Sequence, residues 1–275
     1  MSAKLYVVGT PIGNLGDLSP RAAEVLESCD FIAAEDTRVT VKLLNHLGIK
    51  KEMISYYEHN KKDKGKQILS RIANGEACVL VSDAGMPAIS DPGQELVDEA
   101  HNAGIPVESV PGPSAVVTAL AISGMPSGRF CFEGFLSVNK PARKRHLEEI
   151  KNEKRTMIFY EAPHKLLATL KDMLECFGDR KIAVCRELTK LHETVMRVSL
   201  LEALKYFEHN APKGEFVLII SGKEEEEEEK LTLTDATALA KRLIESGESV
   251  SSAAKQAAAA SGIRKSEIYK LLIEG

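Results

Sequence analysis

The segment of residues 79–93, VLVSDAGMPAISDPG, constrains the fold more than any other part of the chain. Residues 79–81 form a short apolar, β-branched run that predicts a strand. The serine, aspartate, glycine and proline residues that follow cannot easily continue a strand or a helix. Asp91 is then expected to be the N-cap of a helix, with Pro92 at the first helical position. The segment therefore predicts a strand, an ordered polar loop and a helix, in that order.

The same unit is repeated directly downstream. Val107–Val110 is predicted to be a second strand, and the turn PGPSA leads from it into the apolar helical segment AVVTALAISG. Open α/β sheets bind ligands at the carboxyl ends of their parallel strands, so the two loops could form one pocket. The alternative is that Asp83 and Pro87 are ordinary turn residues without a ligand.

Short apolar strands alternate with helical segments along most of the chain, which predicts an α/β fold with two α/β domains. A cluster of Gly, Met, Pro and Ser at residues 124–128 marks the boundary between these domains. A glutamate run then separates a third part, where Ser or Gly opens or closes three short helices. The predicted division is a first α/β domain at 1–122, a second α/β domain at 123–222, an acidic linker at 223–230 and a C-terminal three-helix module at 231–275.

Composition and cysteine usage argue against several classes of protein. The residues are 44% hydrophobic and 28% charged, which is typical of a soluble globular chain. The N-terminus has neither a signal-peptide core nor a membrane-spanning segment, so we expect a cytoplasmic protein with no membrane partner. The five cysteines are scattered, without a CxxC pair, and no two histidines have i, i+4 spacing. No metal site is therefore predicted.

Charge is distributed unevenly along the chain. The net charge is −4, but residues 224–229 are six consecutive glutamates, and the rest of the chain carries +2. Residues 139–155 hold seven basic residues against three glutamates, a local charge of +4. A basic segment of this kind is suited to sequence-independent contacts with nucleic-acid phosphates.

The C-terminal module has the spacing of a helix-turn-helix motif. Ala258, Gly262 and Ile268 fall at its small, turn and core positions, and glycine permits the tight turn between two crossed helices. The module has a charge of only +1, which is low for a nucleic-acid reader. A plain three-helix bundle used for packing or dimerisation is an equal alternative.

A dense polar cluster follows the predicted strand Phe31–Ala34. Glu35, Asp36, Thr37 and Arg38 stand together at the carboxyl end of that strand. One interpretation is a helix N-cap with a local salt bridge. The position at the ligand-binding edge favours another, in which Glu35 and Asp36 are a catalytic acid–base pair and Arg38 clamps a substrate phosphate.

A series of motifs in a fixed order connects the chain with a known family. They are VVGTPIGNLGDLSPRA, AAEDTRVT followed by LLNHLGI, VSDAGMPAISDPG, VPGPSA, GF at Gly134 and Phe135, YEAPHK, RELTK and GEFVLII. With them the whole chain closely resembles the bacterial small-subunit ribosomal RNA methyltransferases of the tetrapyrrole methylase (class III methyltransferase) superfamily. The resemblance implies two α/β domains with the cofactor S-adenosylmethionine in the cleft between them, and a homodimer.

The resemblance also implies the reaction, which is methyl transfer to the ribose 2′-hydroxyl of a cytidine in 16S rRNA, at the decoding centre of the small ribosomal subunit. The residues that it implies for cofactor binding are Pro11, Asp83, Ala84, Gly85, Met86, Pro113, Ser114, Ala115, Tyr160, Glu161, Phe216 and Val217. A ribose hydroxyl is a poor nucleophile near neutral pH, so a side chain that removes its proton should help. We expect Glu35 or Asp36 to do so, and the sequence leaves open which of them acts.

Basic side chains are expected to hold the RNA through its phosphates. The candidates are Lys140, Arg143, Lys144, Arg145, Lys165, Arg186 and Lys190.

Two alternative functions share part of these features. A tetrapyrrole C-methyltransferase would need neither the basic segment nor the helical tail, and the chain has no Trp and few aromatic residues to stack on a macrocycle. A ligand-sensing, DNA-binding regulator would explain only the tail.

Overall fold

The computed structural model describes residues 2–224 and 231–274. The chain divides into two compact units, the first ending at Lys223 and the second beginning at Glu224. Most of the predicted acidic linker, residues 225–230, lies outside the described residues. The first unit contains two five-stranded sheets, and the α/β class predicted from the sequence is confirmed.

The first sheet is entirely parallel, in the order β3-β2-β4-β1-β5. Its strands are β1 (Leu5–Val8), β2 (Phe31–Ala34), β3 (Glu52–Ser55), β4 (Cys78–Val81) and β5 (Val107–Val110). Its helices are α1 (Pro20–Ser28), α2 (Thr37–Leu47), α3 (Lys61–Ala73) and α4 (Gln94–Asn102). Successive strand residues such as Leu5 and Tyr6 face opposite sides of the sheet, and a hydrophobic cluster covers each side. The three inner strands are therefore buried apolar runs.

The chain leaves neighbouring strands β2 and β4 in opposite directions. From β2 it continues to β3 on one side of the sheet, and from β4 it continues to β5 on the other. A crevice opens outside the carboxyl ends of two strands connected in this way, and it is the usual ligand position in open α/β sheets. The sequence places Glu35 and Asp83 at these two strand ends.

The helix after β4 begins later than predicted. Asp91 and Pro92 lie in a turn, and α4 starts at Gln94 with Gly93 as its N-cap residue. The prediction that Asp91 caps this helix was wrong, because its half-buried carboxyl interacts with Ser82 at the end of β4. The loop between β4 and α4 is consequently longer than expected.

The second sheet is mixed, in the order β6-β7-β10-β8-β9. Its strands are β6 (Phe130–Phe135), β7 (Thr156–Glu161), β8 (Lys181–Arg186), β9 (Thr194–Ser199) and β10 (Phe216–Ile220). Only β6 and β7 pair in parallel, and the central strand β10 is antiparallel to both of its neighbours. Helices α6 (Lys140–Glu149), α7 (Leu166–Phe177) and α8 (Leu200–His209) contribute to the hydrophobic core on one face.

The other face of the second sheet is covered by α5 (Ala115–Ser123). Val116, Ala119 and Leu120 of this helix pack against residues of β7, β8 and β10. The predicted boundary at residue 122 assigned α5 to the first domain, whereas its packing associates it with the second sheet. We therefore now propose that the boundary lies in the turn at residues 111–114.

The second unit is a bundle of three helices, α9 (Leu233–Glu245), α10 (Val250–Ser261) and α11 (Lys265–Glu274). Its small core consists of five alanines and the fully buried Ile268. Gly262 ends α10 in the left-handed conformation expected of the turn residue. Among the helices that the structure describes, none is long and apolar enough to cross a lipid bilayer.

Candidate active site

Three loops are locked together at the carboxyl ends of the adjacent strands β4, β1 and β5. Thr10 after β1 and Gly85 after β4 exchange two backbone hydrogen bonds, of 2.9 and 3.1 Å. Gly9 and Gly112 are in direct backbone contact, because a Cβ on Gly112 would lie 2.6 Å from the Gly9 carbonyl oxygen. Only glycine permits this approach. The floor of the site is therefore formed by main chain rather than by side chains.

The predicted residues Glu35, Asp36 and Asp83 come together across β2 and β4. The backbone N–H of Asp36 donates to the Asp83 carboxylate at 3.1 Å, and the backbone N–H of Asp83 donates to Glu35 at 3.4 Å. Three carboxyl groups thus lie at the crevice where the connections from β2 and β4 diverge. Burial raises the pKa of Asp83, and the like charge of Asp36 acts in the same direction.

Asp36 has a defined structural role. It is the N-cap of α2, accepting from the Arg38 backbone N–H at 2.8 Å, and the Arg38 guanidinium also donates to it at 2.6 Å. These hydrogen bonds from Arg38 lower the pKa of Asp36 to about 2. A carboxylate held so firmly in its ionised form is a weak proton acceptor. The cap and the salt bridge of the first sequence interpretation are therefore confirmed, and the catalytic interpretation stays a prediction.

Glu35 has the opposite electrostatic environment. Burial raises the pKa of its carboxyl group, and the nearby charges of Asp91, Asp83 and Asp36 add to the shift. A carboxylate with a raised pKa accepts a proton more readily than Asp36 does. Of the two predicted candidates, Glu35 is better suited to act as a general base.

Sequence reasoning did not identify Asp91 as a site residue. Its carboxyl is half-buried, burial raises its pKa, and its charge contributes to the raised pKa values of both Glu35 and Tyr160. Tyr160 is on β7 of the second sheet, and burial and Asp91 together raise its pKa to about 12. The charge of Asp91 therefore acts on both the acidic cluster and Tyr160 of the second sheet. Its position in a Ser-Asp-Pro-Gly sequence concealed this, because the same pattern is typical of a helix cap.

Part of the predicted cofactor lining is brought together. Met86 lies against Gly9, and Gly85 lies against the carbonyl of Pro113. Ala115, Tyr160 and Val217 belong to one hydrophobic cluster, together with Ile12 of the first loop. Pro11 and Asp83 line a cavity of about 170 Å³ beside α2. Ala84 is exposed on the β4 loop, and Ser114 is the N-cap of α5.

The side chains of Glu161 and Phe216 point away from this cluster, so the prediction that they line the cofactor needs correction. Successive strand residues face opposite sides of a sheet, and Tyr160 and Val217 occupy the side that faces α5. Glu161 instead accepts a hydrogen bond from Thr169 of α7 at 2.5 Å, and Phe216 packs edge-on against Phe207 of α8. Only the main chain of these two residues can contribute to the site.

Arg143 is also corrected by the structure. It is buried with Asp172 of α7, whose carboxylate oxygen Oδ2 lies 2.8 Å from Nε and 2.7 Å from Nη2 of Arg143. It further donates to the carbonyl groups of Ser137 and Val138. A guanidinium enclosed in this way cannot reach an RNA phosphate. Arg143 therefore anchors the loop between β6 and α6.

The other predicted RNA-binding residues fall into two groups. Lys140 and Arg145 are exposed. The remaining four are engaged within the protein: Lys144 pairs with Glu175, Lys165 with Glu161, Lys190 with Glu187 and Glu215, and Arg186 donates to the carbonyl of Lys213. Arg186 also lines a larger cavity, of about 560 Å³, between β8, β9 and α8. Across the described parts of the chain, no group of three or more His, Cys, Asp or Glu side chains is placed to hold a metal ion.

Comparisons with known proteins accord with this arrangement. The tetrapyrrole (corrin/porphyrin) methylase family matches residues 4–204. The ribosomal RNA small subunit methyltransferase I of Synechocystis sp. is 45% identical over 98% of this chain and 97% of its own length. The protein of the same name from Thermotoga maritima is 49% identical, over 80% of this chain and 99% of its own length.

Among solved structures, a uroporphyrin-III C-methyltransferase from Thermus thermophilus superimposes with a TM-score of 0.57 at 20% identity. The match covers 80% of this chain and 94% of that chain, so the two proteins share a fold. The chain therefore belongs to the tetrapyrrole (corrin/porphyrin) methylase family and, within it, to the group of proteins named ribosomal RNA small subunit methyltransferase I.

Proposed function

We propose that the chain transfers a methyl group from S-adenosylmethionine to the 2′-hydroxyl of a cytidine ribose in 16S rRNA, at the decoding centre of the small ribosomal subunit. The observation that carries this proposal is the match to relatives named ribosomal RNA small subunit methyltransferase I, at 41–49% identity. The names of these relatives favour neither the tetrapyrrole substrate nor the DNA-binding regulator.

The site suits S-adenosylmethionine because its floor is formed by main chain. The absence of side chains at Gly9 and Gly112 permits a ligand to approach the main chain closely, and Asp83 could accept a hydrogen bond from an amino group of the cofactor. Residues 83–86 and 113–115, with Tyr160 and Val217, would hold it. When bound, the cofactor supplies a methyl group that is already activated on a sulfonium. The cavity of about 170 Å³ beside Pro11 could take only part of a ligand of this size.

Within this proposal Glu35 removes the proton of the ribose hydroxyl. Its raised pKa and its place in the β2–β4 crevice support the role. Asp36, occupied by Arg38 and by the N-terminus of α2, would position the loop. The main contribution of the other residues would be to bring the acceptor oxygen and the methyl group into line, as for any transfer between two bound partners.

We further propose that the small ribosomal subunit is the partner, that the protein works in the cytoplasm, and that it forms a homodimer. Helix α5 supports the dimer, because seven of its nine residues are apolar, yet Val117 and Ile122 are exposed by 53% and 43%. Light scattering on the purified chain tests the dimer. A monomeric mass at micromolar concentration would exclude it.

The proposed reaction is tested with purified chain and S-adenosylmethionine labelled in the methyl group. Small subunits should become labelled at a cytidine ribose, while large subunits and a precursor tetrapyrrole should not. Labelling of the tetrapyrrole alone would replace the proposed function with the first alternative. Mapping the methylated nucleotide identifies the position in 16S rRNA.

The role of Glu35 is tested by Glu35→Gln beside the matched variant Asp36→Asn. The Gln variant should bind S-adenosylmethionine normally and lose about a hundredfold in methylation rate. A base with a raised pKa is protonated as the pH falls through that pKa, so the wild-type rate should fall toward acid pH and the Gln variant should lose this dependence. Wild-type rates in Glu35→Gln would remove Glu35 from the mechanism.

A further inference from the structure

A bulge in β6 gives Phe135 an unusual position. The pairing of β6 with β7 shifts between Phe132 and Gly134, so that Glu133 is skipped and Phe135 stands opposite Tyr160. Gly134 has a φ of +65°, which glycine adopts without strain. In a regular strand, residues 132 and 135 would face opposite sides of the sheet. The bulge instead puts Phe132 and Phe135 beside the same ring.

The three rings form a connected aromatic group that ends at the surface. Tyr160 is 4.9 Å from Phe132 and 5.4 Å from Phe135 between ring centroids, both in edge-to-face contact. Phe132 and Tyr160 are partly buried, whereas Phe135 is 55% exposed. The ammonium of Lys165 lies 5.3 Å from the centroid of the Phe135 ring. Phe135 is therefore held from within by Tyr160 and Lys165 while more than half of it meets solvent.

The segment that follows Phe135 is fixed and leads into a basic helix. Arg143, itself buried with Asp172, donates to the carbonyls of Ser137 and Val138 and so anchors this loop. Helix α6 begins directly after the loop and carries the exposed residues Lys140 and Arg145. Neither of these two residues has an ion pair within the described ranges. An exposed ring with uncompensated positive charge on the next helix is the combination that binds single-stranded nucleic acid.

We propose that Phe135 is a stacking platform for an unpaired base of the RNA, with Lys140 and Arg145 contacting the adjoining phosphates. This inference rests on the proposed function and specifies how its substrate is held. An RNA base can stack on an aromatic side chain only when it is splayed out of a helix, so the platform selects a looped or extruded nucleotide. Tyr160, which touches Phe135, belongs to the same hydrophobic cluster as Ile12 of the loop after β1. Packing thus connects the platform with the first loop of the site.

The test compares Phe135→Leu and Phe135→Tyr with Phe130→Leu. Phe130 is a matched control because it lies on the same strand and is 38% exposed, and it has no ring partner among the described residues. The measurements are the Kd for a fluorescein-labelled, single-stranded 12-nucleotide RNA, the Kd for S-adenosylmethionine, and kcat and KM on small subunits. Phe135→Leu should weaken RNA binding and raise KM by about tenfold or more, with cofactor affinity unchanged. Phe135→Tyr should keep the RNA affinity and the KM of the wild type, and so should Phe130→Leu.

Three results would overturn the platform. The first is an RNA affinity of Phe135→Leu within twofold of the wild type, and the second is an equal loss in Phe130→Leu. The third is a loss of S-adenosylmethionine affinity in Phe135→Leu that matches its loss of RNA affinity, which would place the ring at the cofactor. If the wild type labels no small subunits, the proposed function fails and the platform fails with it. If the wild type labels them and Phe135→Leu keeps its KM, only the platform fails.

Discussion

Replacing Arg143 with Ala should destabilise the first unit strongly. Arg143 and Asp172 retain only 8% and 5% of their side-chain exposure, and two guanidinium nitrogens contact one carboxylate oxygen. Removing one partner of a buried ion pair leaves the other charge uncompensated, which costs about 3–5 kcal/mol. The lost hydrogen bonds to Ser137 and Val138 add less, because both residues are exposed and water can replace the donor.

That loss is large compared with the total stability of a typical domain, about 5–15 kcal/mol. The adjacent residue Lys144 provides a matched control, because it pairs with Glu175 and the two side chains are 41% and 61% exposed, respectively. Lys144→Ala should change the stability little, because water and salt screen an exposed ion pair. The double variant Arg143→Met with Asp172→Leu should recover most of the loss, because it removes both charges and keeps apolar volume.

The assay is urea unfolding followed by far-ultraviolet circular dichroism, because the chain has no Trp for fluorescence. The salt dependence of RNA binding is measured in parallel. Two results together would refute the structural argument and show that Arg143 contacts a phosphate. Arg143→Ala would be no less stable than Lys144→Ala, and the number of counterions released when it binds RNA would fall by about one.

Two further predictions concern the glycine contact and the second unit. Gly112→Ala would place a Cβ 2.6 Å from the Gly9 carbonyl oxygen, so calorimetry should find its affinity for S-adenosylmethionine reduced at least tenfold. The control Gly128→Ala, whose Cβ would meet nothing within 4 Å, should bind the cofactor normally. Equal affinities of the two variants would contradict the rigid main-chain floor. A chain ending at Lys223 should remain folded, because the first unit is compact by itself, and it should cosediment less with small subunits. Unchanged cosedimentation would leave the three-helix unit a packing or dimerisation element.

The inner strands could be predicted from the sequence because they are apolar runs. β1 and β4 are fully buried, and hydrophobicity alone indicates them. Apolar runs in the sequence predict seven of the ten strands that the structure describes and leave out β3, β6 and β9. These are three of the four edge strands, and the fourth, β5, was predicted. Edge strands mix polar and apolar residues, as in EMIS and TVMRVS, and therefore resemble loops when only composition is considered.

The errors at the site have a different cause, which is tertiary contact. Nothing near Arg143 in the sequence indicates Asp172, which is 29 residues away. Asp91 likewise has the local pattern of a cap until its interaction with Ser82 is seen. The orientation of Glu161 was predictable, because a side chain next to Tyr160 in a strand must point to the other side of the sheet.

The contact between Gly9 and Gly112 also bears on how binding energy is used. A floor of main chain has no side-chain rotamers that binding would have to order, so a ligand that contacts it loses little affinity to side-chain entropy. It equally offers no side chain whose replacement could adapt the floor to a new ligand. Changes of ligand on this scaffold must then arise in the side chains around the glycine contact, such as Asp83 and Met86 in the loop after β4 and Tyr160 of the second sheet.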